Sequence, residues 1–215
     1  MGGFFGALRI YGKKVVIAHC LAAEVIERLV EHGFYIKSVA HHSRMFNVDR
    51  FFFLWQLLHE IEAPYVISTD TRDLVFQEVR DRYVIATETR DLVFQTNPSL
   101  WLEKHLAPFR VMVGSEGVAY KDAPESNSDM GAFFGPAVRA WMRDKIVYAS
   151  ESIAGEISAV RDSSLNIYLM GYHNIAPFPT DQAALNVLIN LFPWNEITPL
   201  SSMADGWGLL CSECR

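Results

Sequence analysis

The chain has 215 residues, half of them hydrophobic and 20% charged. That is enough apolar material for a sizeable core, in one domain by preference over two, and it excludes a disordered chain. A formal net charge of −6 argues against a protein that grips nucleic acid or an anionic membrane through bulk charge, though a local basic pocket is compatible with it.

No apolar run reaches the roughly 18 residues that a membrane span needs. The longest aromatic stretch, Phe51 to Leu58, is interrupted by Gln56 and flanked by Arg50 and His59. Met1 to Ile10 lacks the charged start and long apolar region of a signal peptide. Three cysteines, two of them in Cys211-Ser-Glu-Cys214, make no disulfide framework and only half of a zinc site. These features read as a soluble, cytoplasmic protein with reduced thiols and no transmembrane segment.

In chain order, Lys13 to His19 is a β-branched run that predicts a buried strand. Ala22 to His32 places Val25, Ile26, Leu29 and Val30 at helical spacing, and Gly33 follows as a stop. Tyr35 to Ala40 predicts a second strand. Asn47 to Glu62 predicts a strongly apolar core helix closed by Pro64, with Phe51, Leu54, Leu58 and Ile61 on one stripe. Tyr65 to Thr69 predicts a third strand, leading into Asp70-Thr71-Arg72-Asp73. Arg110 to Val113 predicts a strand that enters the turn Gly114-Ser115-Glu116-Gly117, and Ile146 to Ala149 another before the turn Ser152-Ile153-Ala154-Gly155-Glu156. Ala132 to Asp144 and Asp181 to Leu191 predict helices. Strands alternating with helices predict one α/β domain over residues 1–215, with a mostly parallel central sheet flanked by helices.

One internal repeat stands out. Tyr65 to Gln77 and Tyr83 to Gln95 agree at eleven of thirteen positions, at an offset of 18 residues. Two short, nearly identical copies are a local tandem duplication and not a solenoid, which needs at least three units. Only one copy can fill the strand slot. The first is expected there, because Asp70 has the short carboxylate that suits a tight turn where the second copy has Glu88. The displaced copy is strand-prone and would pair against the sheet or a second chain, which favours a homodimer.

Asp70 and Asp73, at the end of an apolar strand, can hold a hard divalent cation together with phosphates. Arg72 can contact phosphate. A solvated turn with a surface Arg72–Asp73 pair accounts for the same residues. Gly155 lets backbone approach a ligand closely, or marks an ordinary strand-to-helix turn. Thr180 reads as an N-cap and Asp181 as a first-turn carboxylate favoured by the helix dipole; a functional carboxylate is the sharper alternative.

Taken in order, these segments resemble the metal-dependent GT-A fold glycosyltransferases, the nucleotide-diphospho-sugar transferases. The pieces are the helix with Arg50 and Phe51, YVISTDTRDLVFQ, Thr96 to Ser99, the strand into GSEG, SIAGE, and TDQAALNVL at Thr180 to Leu188. The resemblance covers about residues 5 to 205. It implies a nucleotide-sugar donor, Mn²⁺ or Mg²⁺, and a glycan or other hydroxyl acceptor. It assigns metal and donor phosphates to Asp70 and Asp73, or to Glu88 and Asp91 in the second copy. It sets Arg72, Gly155 and Glu156 at the donor, and Asp181 and Gln182 at the reacting centre.

The chain departs from that pattern. Such domains open with a strand whose end grips the base, whereas Met1 to Tyr11 reads as the helix that follows it. A late His completing the metal shell is missing, the last being His173. The chain thus reads as a truncated or degenerate transferase domain, and the missing first strand and the extra repeat copy favour a second expectation: a transferase-like domain serving as an interaction module. A third is Mg²⁺-dependent phosphoryl or nucleotidyl transfer, which also uses paired Asp at a strand end.

Overall fold

The computed structural model describes residues 3–10, 13–19, 21–40, 46–63, 65–69, 92–94, 98–173, 180–197 and 208–210. In chain order these form β1 (Gly3–Ile10), β2 (Lys13–His19), α1 (Ala23–Glu31), β3 (Phe34–Ser38), α2 (Phe46–His59), β4 (Tyr65–Thr69), β5 (Leu92–Phe94) and α3 (Pro98–His105). Then come β6 (Val111–Ala119), a 3-10 turn at Tyr120–Asp122, α4 (Pro124–Met142), β7 (Ile146–Glu156), α5 (Ile157–Tyr172), α6 (Asp181–Ile189), α7 (Trp194–Ile197) and β8 (Gly208–Leu210).

Six strands form one sheet in the order β3-β2-β1-β4-β7-β6. The expected mostly parallel sheet is corrected here, because β2–β3 alone is a parallel pair and β1–β2, β1–β4, β4–β7 and β6–β7 are all antiparallel. The pairings show why. β2, β3, β4 and β6 run in one sense, and β1 and β7 run against them. Each reversed strand sits between two of the others and turns both of its contacts antiparallel. α1 supplies the crossover that a parallel neighbour requires between β2 and β3, whereas β1 is only two residues from β2 and can pair with it only as a hairpin.

β1 corrects a second expectation, since residues read as helix form a strand. Gly3 and Gly6 weaken a helix, and the adjoining β-branched run offers a ready partner, with Leu8 opposite Val15 and Ile10 opposite Lys13.

The sheet is covered on both faces. Val15 and Ile17 of β2 belong to the main core with Phe51, Leu54 and Leu58 of α2, while Val16 and Ala18 pack with Leu29 of α1 and Phe34. Likewise Val111, Val113 and Ile153 join the main core, and Met112 and Ala154 pack with Leu102 of α3 and with Leu106 just past its end. The strict alternation along each strand makes these strands short runs of small and branched apolar residues.

Of the duplicated segment, Tyr65–Thr69 of the first copy fills the central slot between β1 and β7. Leu92–Phe94 of the second copy pairs antiparallel with Gly208–Leu210 in a separate two-stranded sheet. The two expected turns are also corrected. GSEG lies inside β6, with Gly114 and Ser115 paired to Ala149 and Tyr148, and SIAGE lies inside β7, with Ser152 to Glu156 paired along β4. The helix expected at Ala132 to Asp144 begins earlier, at Pro124, and is broken at Gly135 (φ 83°, ψ 173°), with Pro136 opening its second part.

α2 carries the expected stripe, with Phe51, Leu54 and Leu58 buried and Ile61 partly buried just past its end. Among the described residues no helix is long and apolar enough to cross a membrane. Leu58→Ala is expected to lower unfolding free energy by about 2–5 kcal/mol, read by urea denaturation.

Candidate active site

The carboxyl end of β4 organises the site. Its last residue, Thr69, pairs with Ser152 of β7, so the stretch of β7 from Ile146 to Glu151 extends past β4. On the other side β7 pairs with β6, and there the register jumps. Val113 faces Ile153, yet the next residue, Gly114, faces Ala149. Ser150, Glu151 and Ser152 therefore bulge out of the β6 ladder. A second irregularity follows between Ser115 and Ala119, with Gly117 at φ 72°. Bulges bend strands and re-aim side chains.

The bulge frees the backbone and side chain of Ser150 for other partners. Arg50 Nη2, reaching in from α2, donates to the Ser150 carbonyl at 2.9 Å, to Ser150 Oγ at 3.0 Å and to Asp181 Oδ2 at 2.5 Å. Ser150 Oγ donates to the same Asp181 oxygen at 2.9 Å. Arg50 is 9% exposed and Asp181 3%, so this is a buried ion pair closed by a hydroxyl. Three elements 31 to 131 residues apart in sequence meet at one carboxylate oxygen.

α6 is fixed to the sheet by a second device. Among the described residues no strand pairs with Tyr148 on the β4 side. Asn186, fully buried, bonds to it instead: its Oδ1 accepts from Tyr148 N at 2.9 Å and its Nδ2 donates to Tyr148 O at 2.6 Å and to Gln182 O at 2.8 Å. Gln182 in turn donates through Nε2 to Glu116 Oε1 at 2.9 Å. Burial, and then the nearby carboxylates Glu116 and Asp129, raise the Tyr120 phenol above its ordinary range.

The structure brings Asp181 and Gln182 together, with Arg50, Ser150 and Glu116 around them. It does not bring Gly155 and Glu156 to this cluster. Glu156 pairs with Tyr65, at the opposite end of β4 from Thr69, and six residues of extended strand from Ser150 span up to roughly 20 Å. Gly155 has a backbone reason to be glycine. At φ 147° a Cβ would meet the Arg110 carbonyl oxygen and lie 2.9 Å from Val111 Cα. Glu156 Oε2 accepts from Arg110 Nε at 2.6 Å. Asp70, Arg72, Asp73, Glu88 and Asp91 lie outside the described residues, as do Cys211 and Cys214.

Thr180 stands at the N-cap position but makes no side-chain cap bond. Its Oγ1 and Ser152 Oγ are buried hydroxyl oxygens with no hydrogen-bond partner among the described residues. The described residues also contain no group of three or more His, Cys, Asp or Glu placed to hold a metal ion. The two carboxylates of the cluster are engaged, Glu116 by Gln182 and Asp181 by Arg50 and Ser150, so these residues by themselves do not fit a metal.

No protein-family model, no curated protein and no solved structure matches the chain.

Sequence reasoning singled out the Arg50 segment, GSEG and the Asp181-Gln182 pair, but not Ser150, Tyr148 or Asn186. One signal was present for the ion pair: an arginine inside an otherwise apolar, buried helix face needs a counter-charge.

Two outcomes follow. Arg50→Met leaves Asp181 buried without its cation and is expected to cost roughly 3–5 kcal/mol, while the double variant Arg50→Met/Asp181→Leu recovers most of that loss in denaturation. Burial pushes the Tyr148 phenol from its ordinary 10.0 up to about 12. Below pH 10 both folded and unfolded chains keep that proton, and its contribution to stability is complete. Between 10 and about 12 the unfolded chain releases the proton first, so stability falls as pH rises. Tyr148→Phe should flatten that alkaline loss, followed by melting temperature against pH.

Proposed function

We propose that the chain transfers a sugar from a nucleotide-sugar donor to a glycan or other hydroxyl acceptor on a GT-A-like domain, with Mn²⁺ or Mg²⁺ held by Asp70 and Asp73. One observation carries this reading. The Arg50 helix, the GSEG strand and the TDQ helix, which lie far apart in sequence, converge on the Ser150 bulge beside the carboxyl end of β4. That is also where the Asp70-Thr71-Arg72-Asp73 motif begins. Ligands of open α/β sheets bind at the carboxyl ends of strands. The buried hydroxyls of Ser152 and Thr180 add polar atoms at the same place.

In such a transfer the acceptor oxygen bonds to the anomeric carbon, the bond from that carbon to the diphosphate oxygen breaks, and the acceptor proton passes to a base. The divalent metal supplies charge stabilisation for the departing diphosphate. Asp181 is the candidate that orients the acceptor hydroxyl or takes its proton. Its Oδ2 is committed to Arg50 and Ser150, which leaves Oδ1 for that role. Arg50 and Ser150 position Asp181, and Gln182 is set against Glu116. Gly155 and Glu156 have no part in this reading.

A second reading, a transferase-like module without catalysis, draws on the direction of β1. The expected opening strand would end beside β4's carboxyl end. β1 instead runs antiparallel to β4, with Ala7 opposite Thr69 and Arg9 opposite Ile67, so its carboxyl end lies at the other edge.

Thermal shift with a panel of nucleotide sugars, with and without Mn²⁺, separates the readings. Stabilisation that needs both ligands supports transfer. Stabilisation by nucleoside triphosphates alone points to phosphoryl or nucleotidyl chemistry, and none at all to the module. Asp181→Asn is expected to keep the donor-dependent shift and to lower product formation roughly 10²–10⁴-fold.

A further inference from the structure

We propose that the bend of α4 forms a separate binding site for a small soluble ligand bearing a phosphate or diphosphate group. A cleft of about 460 Å³ lies in the bend, lined by Lys121, Asn127, Pro136, Arg139, Ala140 and Arg143. Three cationic side chains on one cleft are unexpected on a chain with net charge −6. The break at Gly135, φ 83°, turns the second part of the helix so that Arg139 and Arg143 face the same cleft as Asn127 of the first part.

One of the cations is held in place. The Arg139 stem lies across Gly131, where a Cβ would stand only 2.8 Å from Arg139 Cδ. Its Nε donates to Asn127 Oδ1 at 3.0 Å. The stem and Nε are thus fixed, and the two terminal nitrogens are left without a partner among the described residues. That is the fork that takes two oxygens of a phosphate. The Arg143 guanidinium likewise has no partner among the described residues. Lys121 is paired with Asp144 at 3.1 Å, both well exposed. The residues that line the cleft include three cations and no carboxylate, Asp144 offsets Lys121 from outside the lining, and phosphate oxygens match the remaining donors. No residue of the Arg50–Asp181 cluster takes part, so this site stands apart from the proposed transfer.

Titration calorimetry with inorganic pyrophosphate in a chelating buffer tests this, because the chelator silences any metal-dependent binding near Asp70 and Asp73. Pyrophosphate is expected to bind, with affinity falling as salt rises. Arg143→Gln and Arg139→Gln should each weaken binding about tenfold. Gly131→Ala changes no charge. It should weaken binding several-fold by displacing the Arg139 stem, without lowering the melting temperature, since alanine is the better helix former. Arg161→Gln, an equal charge change on α5, should leave binding intact. The proposal is overturned if pyrophosphate fails to bind at millimolar concentration, if Arg161→Gln weakens binding as much as Arg143→Gln, or if Gly131→Ala has no effect. Binding to phosphatidic-acid vesicles without binding to pyrophosphate would assign the cleft to a lipid headgroup and overturn it as well.

Discussion

The arrangement rests on one requirement: a guanidinium placed inside an apolar helix face must meet a carboxylate. Arg50 sits among Phe51, Phe53 and Leu54, all buried. Removing such a cation from water costs several kcal/mol, which only close pairing and further hydrogen bonds offset. Asp181 supplies the charge and Ser150 the additional acceptors. α2, β7 and α6 are thereby fixed relative to one another by polar geometry, which is directional, and not only by apolar packing, which is not. The candidate site is the place where that directional demand is met.

The sheet prepares the position. The described part of β4 ends at Thr69 and β7 continues, so among the described residues no strand pairs with the Ile146 to Glu151 stretch of β7 on that side. Part of that edge is satisfied by Asn186, whose amide presents one donor and one acceptor as a strand backbone would. Part is satisfied by Arg50 at the Ser150 carbonyl. Side chains of α6 and α2 thus supply hydrogen bonds to the β7 backbone at Tyr148 and Ser150. The bulges in β6 and β7 occur over the same stretch, which sets Glu116 and Ser150 toward α6 from two different strands.

Local pattern was sufficient where one face or one period dominated. β2 was legible because every residue from Val15 to Ala18 is apolar and buried on one face or the other. The stripe on α2 was legible because its spacing is 3.6-fold. α5 was not, because its buried stripe includes Ser163, Ser164 and Gly171. Those small residues let α2 approach closely, with Val48 against Gly171, and they carry no hydrophobic signal. Strand direction was not legible either. A β-branched run reads the same whether its neighbours are parallel or antiparallel. The site was half legible: Asp181 and Gln182 announce themselves as a polar pair before an apolar helix, but Ser150 becomes a partner only through a bulge, which depends on how two strands are registered.

The near-identity of the duplicated segments reaches beyond the final fold to the route by which it forms. Within the strand itself the copies differ at one position, Ser68 against Ala86. A folding chain therefore carries two segments able to hydrogen-bond between β1 and β7 with nearly the same side chains. Minimal frustration normally removes such competitors from a sequence. Here the choice falls to what surrounds each copy: the chain length to α2 on one side, and on the other the pairing of Leu92–Phe94 with Gly208–Leu210, which holds the end of the second copy in its own small sheet. That minor sheet gives the end of the second copy a strand partner outside the main sheet.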